Sequence, residues 1–368
     1  MDDIRISKSG RRGRRRLIDP VEQVGSFLSP KVRRALMDMP KRQRDGLMEI
    51  RLRKHMPVVC VFAESDLCLC SGGDTFELNQ LAFGRDVSDL LVMDDEEWTK
   101  AVQLVTSSSL YALERELKAG FITIKGGHRV GIVGRTVYQN GQLSTQSQIS
   151  SLNFRIGRDM RGISNRLMPY IVENGRMRPR NVLLISPPGL GKTTVLRDIS
   201  RSLSYGLWDV GFKGCKVSVV DERSEIAACD DGVPQYDLGP RTDVLDGCDK
   251  RDGITMMVRS MSPDIVVVDE IGAKDDADAI NEAVRSGVGV MATAHAKDLD
   301  DAMSRKTLRE LLTDKTFDLA ITLGRSLGFG TVESVHCLMS GSDLNIKPFL
   351  LLPERHIYEA SKSEALGC

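Results

Sequence analysis

NVLLISPPGLGKTT, residues 181–194, decides the reading of this chain, because an apolar run passes directly into a Gly-rich turn that closes on Lys192 and Thr193. The pattern G-x-x-x-x-G-K-[ST] makes a phosphate cradle: small residues let several backbone N–H groups point at one anion, and the helix starting at the Lys adds its positive dipole end. The cradle residues are Ser186, Pro187, Pro188, Gly189, Leu190, Gly191, Lys192, Thr193 and Thr194. Lys192 is expected to reach the β- and γ-phosphates, and the Thr193 hydroxyl to meet Mg²⁺ beside them. Ser186 stands where the pattern has its first Gly; Pro187 and Pro188 stiffen the turn, while Gly189 and Gly191 supply freedom at φ.

Downstream, apolar runs recur with helix-length segments between them: KVSVVDE (216–222), DIVVVDE (264–270), GVGVMATAH (287–295) and FDLAITLG (317–324). Strands apolar on both faces that alternate with helices imply a parallel sheet covered on both sides. Ahead of it, EIRLRKHMPVVCVF (49–62) and FITIKGGHRVGIVGRTVY (121–138) read as strands, the latter two joined at Gly126-Gly127, with a turn at QNGQ (139–142). Helical patterns cover Pro30 to Met48, Glu96 to Val105 and Ser109 to Lys118, the last ending at Gly120. The expected organisation is a basic tail (1–20), an α+β domain (21–150), an Arg-rich linker punctuated by Gly and Pro (151–180), an α/β domain (181–340) and a C-terminal extension (341–368) that packs on the surface or stays loose.

Three strand ends carry further chemistry. Asp269-Glu270 closes the second Asp-Glu strand, 77 residues after Lys192. A carboxylate there projects into the crevice where phosphate sits, so Asp269 is expected to hold Mg²⁺ through its water shell and Glu270 to polarise the attacking water. Asp221-Glu222 ends the preceding strand in the same way, and Glu222 becomes a candidate water-ordering acid or a solvated loop residue. His295 ends ATAH; if its strand lies between the cradle strand and the Asp269 strand, His295 and Thr293 stand over the γ-phosphate. Charge developing on the transferred group needs an Arg, for which Arg241, Arg259, Arg285, Arg155 and Arg158 are candidates.

At 368 residues, 41% hydrophobic and 28% charged, the composition excludes a disordered or fibrous chain. No apolar run approaches a membrane span, and no signal core follows the basic N-terminus, which points to the cytosol. Eight cysteines (60, 68, 70, 215, 229, 248, 337, 368) lack paired C-x-x-C spacing and read as reduced structural thiols. Net charge is zero, against a nucleic-acid partner, yet residues 1–16 carry seven Lys and Arg against two Asp, and RRGRRR (11–16) reads either as a contact for anionic lipid or nucleic acid or as a solvated, flexible tail. A nucleic-acid-dependent motor is therefore the alternative to be weighed, and a nucleotide-gated scaffold with slow turnover a third.

Taken in order, SPPGLGKTT, VVDERSEIA, VVVDEIG and ATAHA resemble the phosphate loop, aspartate box, Asp-Glu strand and histidine box of the secretion-type traffic ATPases. With EIRLRKHMPV (49–58), GHRVGIVGR (127–135), TDVLDGCDK (242–250) and RSMSPDIVVVDEIG (259–272), the chain more closely resembles the stage III sporulation AA family of endospore-forming bacteria, from about Leu47 onward. That resemblance implies a RecA-like P-loop NTPase domain behind a smaller α+β domain, with ATP and Mg²⁺ as cofactors. It implies assembly as a homo-oligomeric ring, a hexamer, in the mother-cell cytoplasm. The ring would be peripheral to the membrane, docked on membrane proteins of a channel between mother cell and forespore that ATP hydrolysis energises. By the same resemblance Lys192 and Thr193 fall in the nucleotide loop, Glu222 in the aspartate box, Asp269 and Glu270 at the metal and catalytic acids, and His295 in the histidine box.

Overall fold

A computed structural model describes residues 19–78, 89–106, 120–172, 178–344 and 346–353. The Ser109–Lys118 helix, the RRGRRR run and Cys368 lie outside them. The chain divides into two compact units, one of residues 1–122 and 128–157, the other of residues 123–127 and 158–368.

The first unit is built on the strands β1 (Glu49–Arg53), β2 (Val59–Val61), β3 (Asp66–Leu69), β4 (Thr75–Glu77), the first half of β5 (Phe121–Ile124), β6 (His128–Gln139) and β7 (Gln142–Arg155), in the order β4-β3-β2-β1-β7-β6-β5. The pairings β1–β2, β2–β3, β3–β4, β1–β7 and β6–β7 are antiparallel. Alternation sets its core face: Ile50 and Leu52 of β1, Ile132 of β6 and Leu152 and Phe154 of β7 are buried. Asn140 and Gly141 both take positive φ, 52° and 76°, which matches the right-handed twist of the β6–β7 hairpin. The single helical region expected over Pro30 to Met48 is two helices, Pro30–Asp38 and Lys41–Gly46, because Pro40 lacks a donor and pushes Met39 to an extended ψ of 138°.

The second unit holds β8 (Val182–Ser186), β9 (Val217–Asp221), β10 (Thr242–Asp246), β11 (Ile265–Val268), β12 (Gly289–His295), β13 (Leu319–Gly324), β14 (Thr331–Cys337), β15 (Ser342–Asp343) and β16 (Phe349–Leu350). The order β10-β9-β11-β12-β8-β13 is parallel throughout, and β14 adds antiparallel to β13, carrying β15 and β16. Strands β8, β9 and β11 are buried along their whole length. One core on the sheet gathers Leu184, Val219, Val267 and Ile321 with Ile199 and Leu203 of helix Lys192–Tyr205, and a second gathers Ile185, Val220, Val268 and Ala320 with Ile280 and Leu311. The sheet is thus covered on both faces.

Two expected boundaries move. Residues 151–155 are strand, not linker, since Leu152 and Phe154 are buried in β7. Past Gly157, Ile163, Leu167, Met168, Ile171 and Val172 enter the second unit's core, so Gly and Pro punctuate a packed segment there. The described part of the C-terminal extension, up to residue 353, is likewise joined to the sheet, through β15 and β16. The seven described cysteines are unpaired, and burial pushes the Cys60, Cys215 and Cys229 thiols up to about 12, as suits structural thiols.

Helix Lys250–Met261 lies against β9 and β10 at Gly253, where an added Cβ would stand 2.5 Å from Val220 Cγ1 and 3.5 Å from Leu245 Cδ2. Gly253→Ala should therefore cost about 1–3 kcal/mol of stability by overpacking. Urea unfolding checks this, and an unchanged midpoint would mean that the helix moves freely off the sheet.

Candidate active site

The cradle forms where β8 ends. Gly189 and Gly191 take φ of 74° and 85°, while Ser186 is not left-handed, so a side chain at the place of the first Gly introduces no backbone strain. Ser186 instead contributes: it is buried, its Oγ donates to the Pro187 carbonyl at 2.7 Å, and its own carbonyl accepts from Lys192 Nζ at 3.0 Å. Gly191 precedes helix Lys192–Tyr205 as its N-cap, leaving the first-turn N–H groups facing the turn. Pro187 is half-buried, Pro188 and Gly189 are exposed and Leu190 is buried, so the turn presents its proline and glycine to solvent and pins itself by leucine. Thr194 is half-buried in the first helical turn.

Lys192 Nζ also donates to the Pro187 carbonyl at 3.1 Å and stands 3.0 Å from His295 Nδ1. The parallel ladder makes this reach possible, because His295 of β12 pairs with Ser186 of β8. Burial pulls the Lys192 ammonium below its ordinary pKa, opposed by Asp269 and Glu270. An ammonium has only hydrogens to give, so His295 Nδ1 accepts; Nε2 then carries the ring's proton and donates to Glu270 Oε1 at 2.9 Å.

Across the cradle helix's first turn, Thr193 Oγ1 donates to Asp269 Oδ2 at 2.5 Å. Thr293, fully buried on β12, donates its hydroxyl to the other Asp269 oxygen and accepts the Glu270 backbone N–H at 2.9 Å. Glu270 sits at φ 52°, a left-handed turn that a non-Gly residue seldom takes, held by that bond and by Ile271 N–H to the Thr293 carbonyl at 2.8 Å. Burial acts to raise the Glu270 carboxyl, but the His295 hydrogen bond and the charges of Arg223 and Lys192 outweigh it and hold it below the usual carboxylate range.

Lys192, Thr193, Asp269, Glu270 and His295 therefore meet, with Ser186 and Thr293. Glu222 stands apart: it pairs with Lys250 at the start of helix Lys250–Met261, and no hydrogen bond joins it to Glu270, His295 or Lys192. Its neighbour Arg223 is the residue that reaches the site, as an ion pair with Glu270. Arg223 was legible as a cation directly after Asp221-Glu222, but nothing in the run says which of three charged side chains turns inward. Asp221 is a loop former, accepting the N–H groups of Glu225 and Ala227 at 2.7 Å each. Of the other arginines, Arg241 donates to the Ser204 carbonyl at the far end of the cradle helix, Arg155 pairs with Glu49, and Arg259 and Arg285 are exposed.

A parallel sheet with one strand, β12, standing between the cradle strand and the Asp-Glu strand makes this unit a RecA-like P-loop NTPase fold. The family model described as sporulation stage III, protein AA matches residues 18–338, and the chain belongs to that family. It is 38% identical over 316 residues to the stage III sporulation protein AA of Bacillus subtilis (strain 168), covering 86% of this chain and 95% of that one. An uncharacterized protein ycf45 of Cyanidium caldarium is 29% identical over 166 residues, 45% of this chain and 46% of its own. Among solved structures, the Legionella pneumophila ATPase DotB aligns with a TM-score of 0.47 at 15% identity, covering 75% of this chain and 72% of its own.

Thr293→Val keeps the shape of β12 but leaves the Asp269 carboxylate and the Glu270 N–H each short of a partner. A loss of about 1–3 kcal/mol in urea unfolding is expected, and an unchanged midpoint would show that the Glu270 turn does not need the hydroxyl.

Proposed function

We propose that this chain is a Mg²⁺-dependent ATPase whose turnover drives a membrane-spanning, secretion-like complex during endospore formation. The observation that carries the reading is the closed set of contacts from Lys192 through His295 to Glu270, beside Thr193 on Asp269. The residues fit the group they would bind. A cradle of first-turn N–H groups plus one buried ammonium suits a polyphosphate. One hydroxyl and one carboxylate, Thr193 and Asp269, suit a hard oxygen-seeking cation that keeps its waters. Thr193 and Asp269 would hold Mg²⁺, which would supply positive charge against the negative charge that grows on the transferred group.

The chain's own groups divide the remaining work. Lys192 compensates phosphate charge from within the cradle. Glu270, held ionised at neutral pH, accepts a hydrogen bond from the attacking water and orients it, and His295 fixes the direction of that carboxylate by donating from Nε2. Arg223, already paired with Glu270, brings a second cation to the water-orienting carboxylate. Glu222, tied to Lys250, holds the aspartate-box loop that carries Arg223.

Assembly into a hexameric ring, residence in the mother-cell cytoplasm and docking on channel proteins of the two membranes rest on family membership alone. Among the described residues no helix is long and apolar enough to cross a membrane.

Lys192→Ala should abolish Mg-ATP turnover with the thermal unfolding midpoint retained; unchanged turnover would remove the basis for the whole reading. Glu270→Gln should bind ATP as tightly as the parent while kcat falls by about 10²-fold or more. A deeper loss in Glu222→Gln would move the water-orienting role to the aspartate box. Chelation with EDTA should stop turnover and added Mg²⁺ restore it. The mass of the particle in solution, measured with and without ATP, checks the ring: a monomer under both conditions contradicts it.

A further inference from the structure

The acidic and metal-facing groups all stand on one flank of the cradle. Asp269 and Glu270 follow β11, and Thr293 and His295 belong to β12, which pairs with one edge of β8. On the other edge of β8 lies β13, whose turn into β14 comes up beside the cradle. In that turn Phe329 is 66% exposed, and a methyl group added at Gly191 would meet its ring, 3.4 Å from Cε1 and 3.6 Å from Cζ. An aromatic ring left in water at the rim of a phosphate cradle has no role in the core.

The turn that displays it is braced. Ser326 donates its N–H and its hydroxyl to the two oxygens of Glu333, at 2.9 and 2.7 Å. Thr331 Oγ1 accepts the Leu327 N–H at 3.2 Å and donates to the Gly328 carbonyl at 2.7 Å, and Gly330 accepts from Leu351 N–H at 3.1 Å. Gly328 and Gly330 take φ of 123° and 78°, which lets so tight a turn hold a large side chain outward. Ordering the backbone while exposing the ring lowers the entropy lost when a flat partner settles on it.

We propose that Phe329 is the stacking platform for the purine base of the bound nucleotide. The inference rests on the nucleotide reading above and extends it to the other end of the ligand. If the reacting phosphate faces Glu270 and His295 on the β12 flank, the rest of the nucleotide must leave the cradle toward β13, and Phe329 is the exposed aromatic on that side. The other exposed aromatic side chains described in this unit are Tyr205 and Trp208. Tyr205 is the last residue of the 14-residue cradle helix and Trp208 follows it, about 20 Å from the cradle at 1.5 Å per residue. Base stacking on an aromatic face is also tolerant of small displacements, which suits a ring held at a solvent-facing rim.

Calorimetric titration of the full-length chain with Mg-ATP and with Mg-tripolyphosphate, which has the phosphates but no base, separates the two ends of the site. Phe329→Ala should weaken ATP about tenfold and leave tripolyphosphate unchanged. Phe329→Leu, apolar but without a ring, should behave like the alanine variant, and Phe329→Trp should keep the parent affinity. Unchanged ATP affinity in Phe329→Ala, or an equal loss for ATP and tripolyphosphate, would overturn the stacking role while leaving the cradle intact. A parent chain that binds neither ligand would overturn the nucleotide reading, and this one with it.

Discussion

The pairing of His295 with Ser186 across β12 and β8 is the constraint on which the site depends. Parallel strands have a fixed register, so placing these two residues side by side brings an imidazole to within 3.0 Å of the ammonium that the cradle encloses. From that contact the rest follows by donor and acceptor counting. The ammonium can only give, the ring nitrogen facing it must accept, and the other ring nitrogen is left with a proton to donate to Glu270. A slip of one residue would turn His295 to the other face of the sheet and leave Lys192 and Glu270 unconnected. Both neighbours of β12 are themselves buried strands, which makes such a slip expensive in apolar burial.

Two acidic strand ends that look alike in sequence receive opposite electrostatic treatment. At Asp221 burial dominates and raises the carboxyl above its ordinary value, although backbone N–H groups of the following loop pull the other way. At Glu270 a hydrogen bond from His295 and two nearby cations overcome a smaller exposure to burial and lower it. Asp221 is thus engaged in shaping the loop that carries Glu222 and Arg223. Glu270 remains an ionised acceptor facing the crevice. For folding, the sign of each follows from its direction: ionisation of Glu270 favours the folded chain above the ordinary range near 4.5 and that contribution is lost as pH falls through its lowered value. Asp221 acts the other way, since the folded chain holds its proton longer than the unfolded one and gives up stability as pH rises past 3.8.

The parts of this fold that sequence made legible are those with a single dominant cause. Strands β8, β9, β11, β12 and β13 announce themselves because burial on both faces demands continuous apolar runs, and the cradle because left-handed turns demand glycine at 189 and 191. Strand β10 is not legible as a strand: TDVLD is an edge, half-exposed, and its charges hide a ladder that pairs with β9 residue for residue. The polar run QLSTQSQISSLNFR concealed β7 for a similar reason, since only Leu152 and Phe154 at its end enter the core. Within the site, residue types at strand ends could be read, but partners could not. That Glu222 turns to Lys250 while Arg223 turns to Glu270 is decided by the backbone of the loop, where Ser224 sits at φ 52° and Asp221 gathers the next N–H groups.

The cradle helix is held from both sides by charges it buries, and this explains how so short a turn can be stiff. Arg197 donates to the carbonyls of Ile226 and Glu225 at 2.6 and 2.7 Å and lies 3.7 Å over the Tyr236 ring. The next residue, Asp198, accepts the N–H groups of Gly162 and Ser164 at 3.0 and 2.8 Å and the guanidinium of Arg201 at 2.7 Å. A buried charge without partners costs several kcal/mol, so neither side chain can leave its acceptors or donors cheaply. Because Arg197 grips the same loop that presents Arg223, the first turn of the helix and the cation beside Glu270 are anchored to one frame. The distance between Lys192 and Glu270, bridged by a single imidazole, is then supported by buried electrostatics about one and a half turns along the helix as well as by the contacts in the crevice itself.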